Sequence, residues 1–577
     1  MFFLLFSVML FGLLLCGVGC LFGKLLGYSS PRNPWIYFWL GFFIVSTLSM
    51  FGSFFVPVNI VSLIIFFIVG SGGLFFFYRE YMQSIARCNK VETQLFNIIT
   101  LLIFIVIVCS GAYKIWYYGV FSYDTDLYHA QTIRWYNEYG TPPGLGNLHA
   151  RLAFNSSWLS LAALFDNGIW DGRSAWIMPS LALLGGVFYF FHELLFSRKN
   201  GIRLFALCIL VWILLKVITR TSFPSLAYDY PALVVNAIIV LEAYYITVGY
   251  SGSLSKKEIL DFANLLMLGV SAFMIKPIGA VALLFSGVLT LFLLVRNTKQ
   301  TITSWFIIYT PALCALAVWI TKNILLSGYL MYPLPIFAMP FDWTMPFGLA
   351  DANYKDILSW ARMPGPSHRQ SLENGFLFWF GPWLIRNLES KFFLPLVVFP
   401  FFFSIITWFL VVRYADMKKA FYFLIWTFSS IVYWFMSAPA LRFGDGFFWV
   451  CLGAAFLFLV PDTSSSPIPA ITKFFEKTKR RIVFFCLCSG LCIFFLTGYA
   501  LFVSSKGYEL RILTIGTIPS QPVREYTVNS NPPFIVWIAA SGDQTGNSPL
   551  PSTPYAPSNL EMREPGNLGK GFRPMRR

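Results

Sequence analysis

Runs of about twenty apolar residues recur along the whole chain, and twenty residues is the length a helix needs to cross the hydrocarbon of a bilayer. Ile98–Ser110, extended on both sides, and Arg481–Val503 are examples. Such runs leave little freedom of fold. In lipid every backbone N–H and C=O must be satisfied within its own segment, so a chain built this way becomes a bundle of helices. The composition agrees: of 577 residues, 57% are hydrophobic and only 12% charged, against the roughly 25% charged that soluble domains carry. A water-soluble fold is excluded.

The formal charge of +16 would in another setting suggest nucleic acid. Here the Lys and Arg residues sit mainly in short connectors between apolar runs, where they set orientation. No nucleic-acid partner is expected, because topology already accounts for the basic excess. The first run, Phe2–Phe22, has no basic stretch before it and no clear small-residue cleavage site, and is read as a retained helix. The ten cysteines lie in apolar runs or, for Cys88, in a basic connector. With none in the long polar loops or the tail, neither disulfides nor a thiolate metal site is expected.

The basic connectors are Lys24–Arg32, Arg79–Lys90, Arg198–Arg203, Lys256–Lys257, Arg296–Lys299, Arg413–Lys419 and Lys473–Arg481. If all are cytoplasmic, the segments between them cross twice each. The first helix at 2–22 is followed by the pairs 34–54 with 58–77, 95–113 with 175–196, 202–219 with 231–250, 263–276 with 278–295, 303–321 with 393–413 and 420–437 with 446–461, then a last helix at 482–503. The fold expected is an all-α polytopic bundle of about 14 spans. The pair around Lys276-Pro277 is the ambiguous one, since each half is short and a broken or re-entrant helix fits as well.

This divides the chain into N-terminal helices (1–113), a long extracytoplasmic loop (114–174), central helices (175–321), a second long loop (322–392), C-terminal helices (393–503) and an extracytoplasmic tail (504–577). The tail carries two β-like runs, Leu510–Ile518 and Phe534–Ala539, before a Pro-rich stretch, and is read as a small cap of low helical content.

The densest polar set opens the first loop: Tyr123-Asp124-Thr125-Asp126-Leu127-Tyr128-His129, then Gln131 and Arg134, and further on Gly144-Leu145-Gly146-Asn147-Leu148-His149-Ala150-Arg151. A carboxylate at a membrane surface can act as a general base toward a hydroxyl, or hold a divalent ion that screens a phosphate. Asp124, Asp126 and His129 are the catalytic candidates, with Arg134, His149 and Arg151 as substrate ligands. Asp124 or Thr125 serves equally as the N-cap of a helix over Asp126–Tyr139. Asp229 before Pro231 is either another carboxylate of the site or a cap. Lys276 lies in an apolar stretch, where a lysine costs about 2.5–3.5 kcal/mol; it faces a polar partner or snorkels to the interface. Lys322, Tyr329 and Arg362 combine cations with aromatic turns, as suits a lipid phosphate beside a sugar ring, though interfacial aromatic belts look the same. Arg442, in a very short outer loop, reads as a phosphate clamp or as a partner of Asp445. Walker A, HExxH, GxSxG and dinucleotide fingerprints are absent from the sequence.

A long first outer loop opening on an acidic motif, further outer carboxylates and an outer arginine near the last spans resemble the GT-C superfamily of glycosyltransferases. Those enzymes use polyprenyl-phosphate-linked sugars. A finer resemblance, to an uncharacterised bacterial family of polytopic membrane proteins, rests on Tyr123 to His129, Gly144 to His149 with Phe154-Asn155-Ser156-Ser157, Ser327-Gly328-Tyr329 with Tyr332-Pro333, Trp360-Ala361-Arg362, Ala438-Pro439 with Arg442-Phe443, and Pro549-Leu550-Pro551-Ser552-Thr553-Pro554-Tyr555. In the superfamily the acidic loop usually follows the first helix, whereas several spans precede it here.

The resemblance implies a multi-pass protein of the bacterial cytoplasmic (inner) membrane that performs glycosyl transfer with inversion. Asp124, or failing it Asp126, would take the proton of the acceptor hydroxyl, while Arg442, Lys276 and Lys322 hold the departing lipid phosphate. The partners implied are membrane lipid, a polyprenyl-phosphate-linked sugar and a glycan acceptor. A divalent cation on Asp124 and Asp229 is the one cofactor left open. A polysaccharide polymerase of the O-antigen type shares the same gross features, and a lipid-linked glycan transporter is a third reading, which would need polar groups across the midplane in two comparable halves.

Overall fold

The computed structural model describes residues 2–28, 31–88, 122–197, 199–219, 225–250, 255–296, 301–390, 392–414, 417–460 and 516–575. It is an all-α bundle. Among these residues eleven helices are long and apolar enough to cross a membrane, and Ile36–Gly52 is a shorter apolar helix of 17 residues. The chain is a multi-pass membrane protein on that ground. The runs at 95–113 and 482–503 lie outside the described residues.

In chain order, α1 (Phe2–Leu26), α2 (Ile36–Gly52) and α3 (Ile60–Cys88) pack on one another. Glycine allows the approach: a Cβ at Gly19 would lie 1.9 Å from the Tyr37 carbonyl oxygen, and one at Gly73 2.0 Å from that of Gly17. Small residues at such contacts are how helices meet closely in lipid. The first loop carries a π-turn (Thr125–His129) running straight into α4 (Ala130–Tyr139), then α5 (Leu145–Leu148) and α6 (Ser157–Phe165). The central bundle is α7 (Ser174–Phe196), α8 (Asn200–Thr219), α9 (Asp229–Gly249), α10 (Lys256–Ile275), α11 (Ala280–Val295) and α12 (Ile302–Ser327). The second loop holds α13 (Phe347–Arg362), α14 (Gln370–Glu373) and α15 (Gly375–Glu389). The last described helices are α16 (Phe399–Tyr414), α17 (Met417–Ser437) and α18 (Leu441–Leu459), with α18 packed against α8, α9, α16 and α17.

Lys276-Pro277 is a hairpin corner between two complete helices. Helix α10 begins at Lys256 rather than 263 because Ser255 and Glu258 form a reciprocal capping box, which draws the charged connector into the first turn. It ends at Ile275; Lys276 is extended, and Pro277 opens a 3-10 turn into α11.

In the tail, β1 (Val523–Val528) pairs antiparallel with β2 (Phe534–Ala539), and β2 pairs parallel with β3 (Ser552–Thr553). A separate two-stranded ribbon joins β4 (Glu561–Met562) to β5 (Phe572–Arg573). The expected strand at Phe534–Ala539 is present. That at Leu510–Ile518 is not seen in its described portion, 516–518, where the Ile518 amide instead donates to the Gly172 carbonyl. The two loops and the tail share a hydrophobic core of their own, with Leu127, Trp135, Leu148, Tyr329, Val536 and Phe572 among its members. What the sequence divides into three segments is thus one cap over the bundle.

The two ends of the bundle gather different charges. At one end Lys24 pairs with Glu80, and Lys257 (3.1 Å) and Arg32 (4.0 Å) with Asp261. The opposite end, under the cap, holds Asp124, Arg151, Asp229, Lys276 and Arg442.

Candidate functional site

Four segments far apart in sequence converge on a single ionic cluster. Asp124, immediately before the π-turn, accepts a hydrogen bond from Arg442 at 2.7 Å and lies 3.5 Å from the Arg151 guanidinium. Asp229, the first residue of α9, accepts from Lys276 and lies 3.7 Å from Arg442 Nε. Arg442 thereby bridges the two carboxylates. The Lys276 ammonium rests 3.3 Å from the ring centre of Phe443 and 5.7 Å from that of Tyr228, contacts that hold a cation in place without neutralising it. Thr125 Oγ1 receives the Leu226 amide at 3.3 Å, and the Tyr128 and Tyr228 hydroxyls stand 3.2 Å apart, tying the first loop to the entry of α9.

This settles several alternatives. Asp124 makes no side-chain capping bond, and Asp229 lies one residue inside α9, whose N-cap is Tyr228; both carboxylates pair with cations. Lys276 has a carboxylate partner and does not snorkel. Arg442 does not pair with Asp445, which turns inward to Lys216 Nζ (2.6 Å) and Trp212 Nε1 (3.1 Å). That pair was missed in the sequence, although a lone lysine in one apolar run and a lone aspartate in another were the available signal.

Three cations (Arg151, Lys276, Arg442) face two carboxylates, and the side chains of Arg442 and Arg151 remain 38% and 29% exposed while Asp229 is 4% exposed. The surplus positive charge therefore points to the opening, as an anion site requires. Burial disfavours ionisation of Asp124, but the Arg442 and Arg151 guanidiniums override it and hold the carboxyl below its usual range. His129 lies beneath, 1% exposed, with neither ring nitrogen hydrogen-bonded among the described residues. Burial, against the pull of Asp124 and Asp229, keeps it neutral with a pKa lowered to about 4.

The other candidates lie elsewhere. Asp126 is engaged by the tail: its carboxylate accepts from Gln521 at 2.9 Å and its carbonyl from the amides of Thr545 (3.1 Å) and Gly546 (2.8 Å). Burial raises its pKa despite the Gln521 bond. Arg134 is likewise turned to Glu138 (2.6 Å) and the Asn547 carbonyl (3.0 Å). His149 sits two residues before Arg151, and burial, then that charge, lowers its pKa to about 3. Lys322 is fully buried against Ser160 Oγ (2.8 Å) and the Tyr136 ring (3.7 Å) and touches none of the cluster. Tyr329, 1% exposed, donates to the Met345 carbonyl inside the cap core. Arg362 stacks near Trp379 and reaches the Met436 carbonyl at 3.5 Å. Lys322, Tyr329 and Arg362 thus serve packing here, because a cation or phenol beside a membrane exit looks the same in sequence whether it turns to the cleft or to the core.

The donor set does not fit a divalent cation. Asp124 and Asp229 are already bridged by guanidinium and ammonium groups, whose charge repels a metal, and the described residues hold no group of three His, Cys, Asp or Glu side chains that could ligate one.

The model of one family, described as Domain of unknown function (DUF8201), matches residues 1–449. The chain belongs to this family. The matched range includes every member of the ionic cluster, from Asp124 to Arg442, and stops short of the β-stranded part of the cap. No curated protein and no solved structure matches the chain.

Proposed function

We propose that this protein is a membrane glycosyltransferase of GT-C type. It moves a sugar from a polyprenyl-phosphate carrier to a surface glycan or glycolipid acceptor on the extracytoplasmic face of the bacterial cytoplasmic membrane. The reading rests on one observation: Arg442 and Lys276, anchored by Asp229, stand beside Asp124 at one end of the bundle. A carboxylate suited to act as a general base and cations suited to hold a phosphate thus stand side by side, which supports the reading.

The acceptor hydroxyl gives its proton to the Asp124 carboxylate as its oxygen attacks the anomeric carbon from the face opposite the phosphate. The carbon–oxygen bond to phosphate breaks, and both its electrons leave with the polyprenyl phosphate, whose charge Arg442 and Lys276 receive. Fixed cations in a cleft of low dielectric stabilise charge that develops there. The resting pair also regulates the base. While Arg442 bonds Asp124 the carboxylate is a weak base, and a bound donor phosphate competes for Arg442 and raises the basicity of Asp124. Proton abstraction then waits for the donor.

The test is sugar transfer in membranes carrying Asp124→Asn. At least a hundredfold loss is expected, in line with removal of a general base, and transfer at the wild-type rate would dispose of the proposal. Product length separates the polymerase alternative, since a polymerase yields a ladder where a single transfer yields one shift.

A further inference from the structure

The tail has no part in the chemistry above, yet it meets the first loop at Tyr123, one residue from Asp124. The stretch Pro549 to Tyr555 is fixed by the Trp537 amide on the Pro551 carbonyl (2.9 Å), by strand β3, and by Thr553 Oγ1 on the Leu148 carbonyl (3.1 Å). Tyr555 emerges at its end, 64% exposed. Tyr123, next to Asp124 in sequence, is 58% exposed. Both phenols donate to one carboxylate, Asp543: Tyr123 to Oδ1, and Tyr555 to Oδ2 at 3.3 Å. Gln544 Nε2 reaches back to the Tyr123 carbonyl at 3.0 Å, closing the tail onto the loop. The charge of Arg151, which also faces Asp124, is felt by both phenols.

We propose that Tyr123, Tyr555 and Asp543 form a subsite for a neutral glycan, the acceptor, at the junction of tail and first loop. Two large aromatic rings exposed to water are costly surface for a protein to hold rigid, and here a shared carboxylate holds both. A sugar offers such a site an apolar C–H face for the rings and hydroxyl donors for the carboxylate, which keeps acceptor capacity beyond two bonds. Rings locked before binding lose little entropy on binding. The charges sort the two substrates. The phosphate of the carrier is drawn to Arg442 and Lys276 and repelled by Asp543, while an uncharged glycan is indifferent to the first and bonded by the second. Arg151 lies between, so a chain end seated on the rings leads to Asp124.

This inference rests on the glycosyltransferase reading, but its test does not require turnover. Full-length protein in lipid nanodiscs is applied, without donor, to an array of immobilised neutral oligosaccharides of hexoses, 6-deoxyhexoses and N-acetylhexosamines. The wild type should retain a subset of them, Tyr555→Ala and Tyr123→Ala should weaken that retention tenfold or more, and Tyr555→Phe, which keeps the ring, should keep most of it. Asp543→Asn, which spares both rings, should weaken it also. An array on which the wild type retains nothing, or on which the alanine variants equal it, overturns the subsite while leaving the role of Asp124 to its own assay.

Discussion

Arg442 and Asp445 stand three residues apart on α18 and belong to opposite kinds of ion pair. Asp445 with Lys216 is sealed, their side chains 1% and 0% exposed, and a tryptophan N–H completes the carboxylate's shell. Arg442 with Asp124 is open, 38% and 17% exposed, with a cation left over. A sealed pair is out of reach of solvent and ligand and serves to hold helices together; an open cluster with excess charge can exchange partners. The difference teaches that burial and stoichiometry, rather than the presence of charge in a membrane bundle, separate a structural pair from a working one.

The contrast breaks most readily in stability. Asp445→Asn removes the counter-charge from a buried ammonium, and losing one charge of such a pair costs about 3–5 kcal/mol. Asp124→Asn, whose neighbours can turn to water, should cost at most about 1 kcal/mol. Thermal unfolding of both variants in nanodiscs makes the comparison, and equal losses would erase the distinction between sealed and open.

A next smaller effect comes from His129. Its folded pKa, about 4, lies below the ordinary 6.5, so between those values the unfolded chain binds the proton and the folded one does not. Stability is therefore full above pH 6.5 and declines as pH falls toward 4, by about 3 kcal/mol at most. His129→Phe should flatten that part of the curve. A wild-type unfolding midpoint that does not move between pH 7 and pH 5 would place the ring in contact with water.

The smallest effect tests the cap. Gln521→Leu removes the donor to the Asp126 carboxylate, a bond to a charged group worth about 1.5–3 kcal/mol, less what water restores. Limited proteolysis should cut the tail faster while the helices resist. Unchanged cleavage would show that the Gln521 bond adds nothing to the tail's other contacts with the loop.

Much of this arrangement was legible in the residues. Apolar length locates the described helices, though not all of their ends, and Asp124, Asp229, Lys276 and Arg442 stood out because each is a charge at the edge of an apolar run. Their partnership was not legible, since Asp124 and Arg442 are joined across 318 positions and a carboxylate before a helix reads equally well as a cap. Asp126 shows the same limit from the other side. Two residues from Asp124 and chemically identical, it is turned away by the helical rotation of the π-turn and meets Gln521 instead. Lys322 failed for want of any sequence sign that Ser160 and Tyr136 would enclose it.

The docking of Thr545 and Gly546 on the Asp126 carbonyl has a consequence for biogenesis. The loop bearing Asp124 leaves the ribosome well ahead of the segment that clasps it, since Gln521 follows Asp126 by 395 positions. A nascent chain therefore carries that loop without its clasp while every helix between the two is made, and the contacts to Asp126 form only after residues 521–546 have followed.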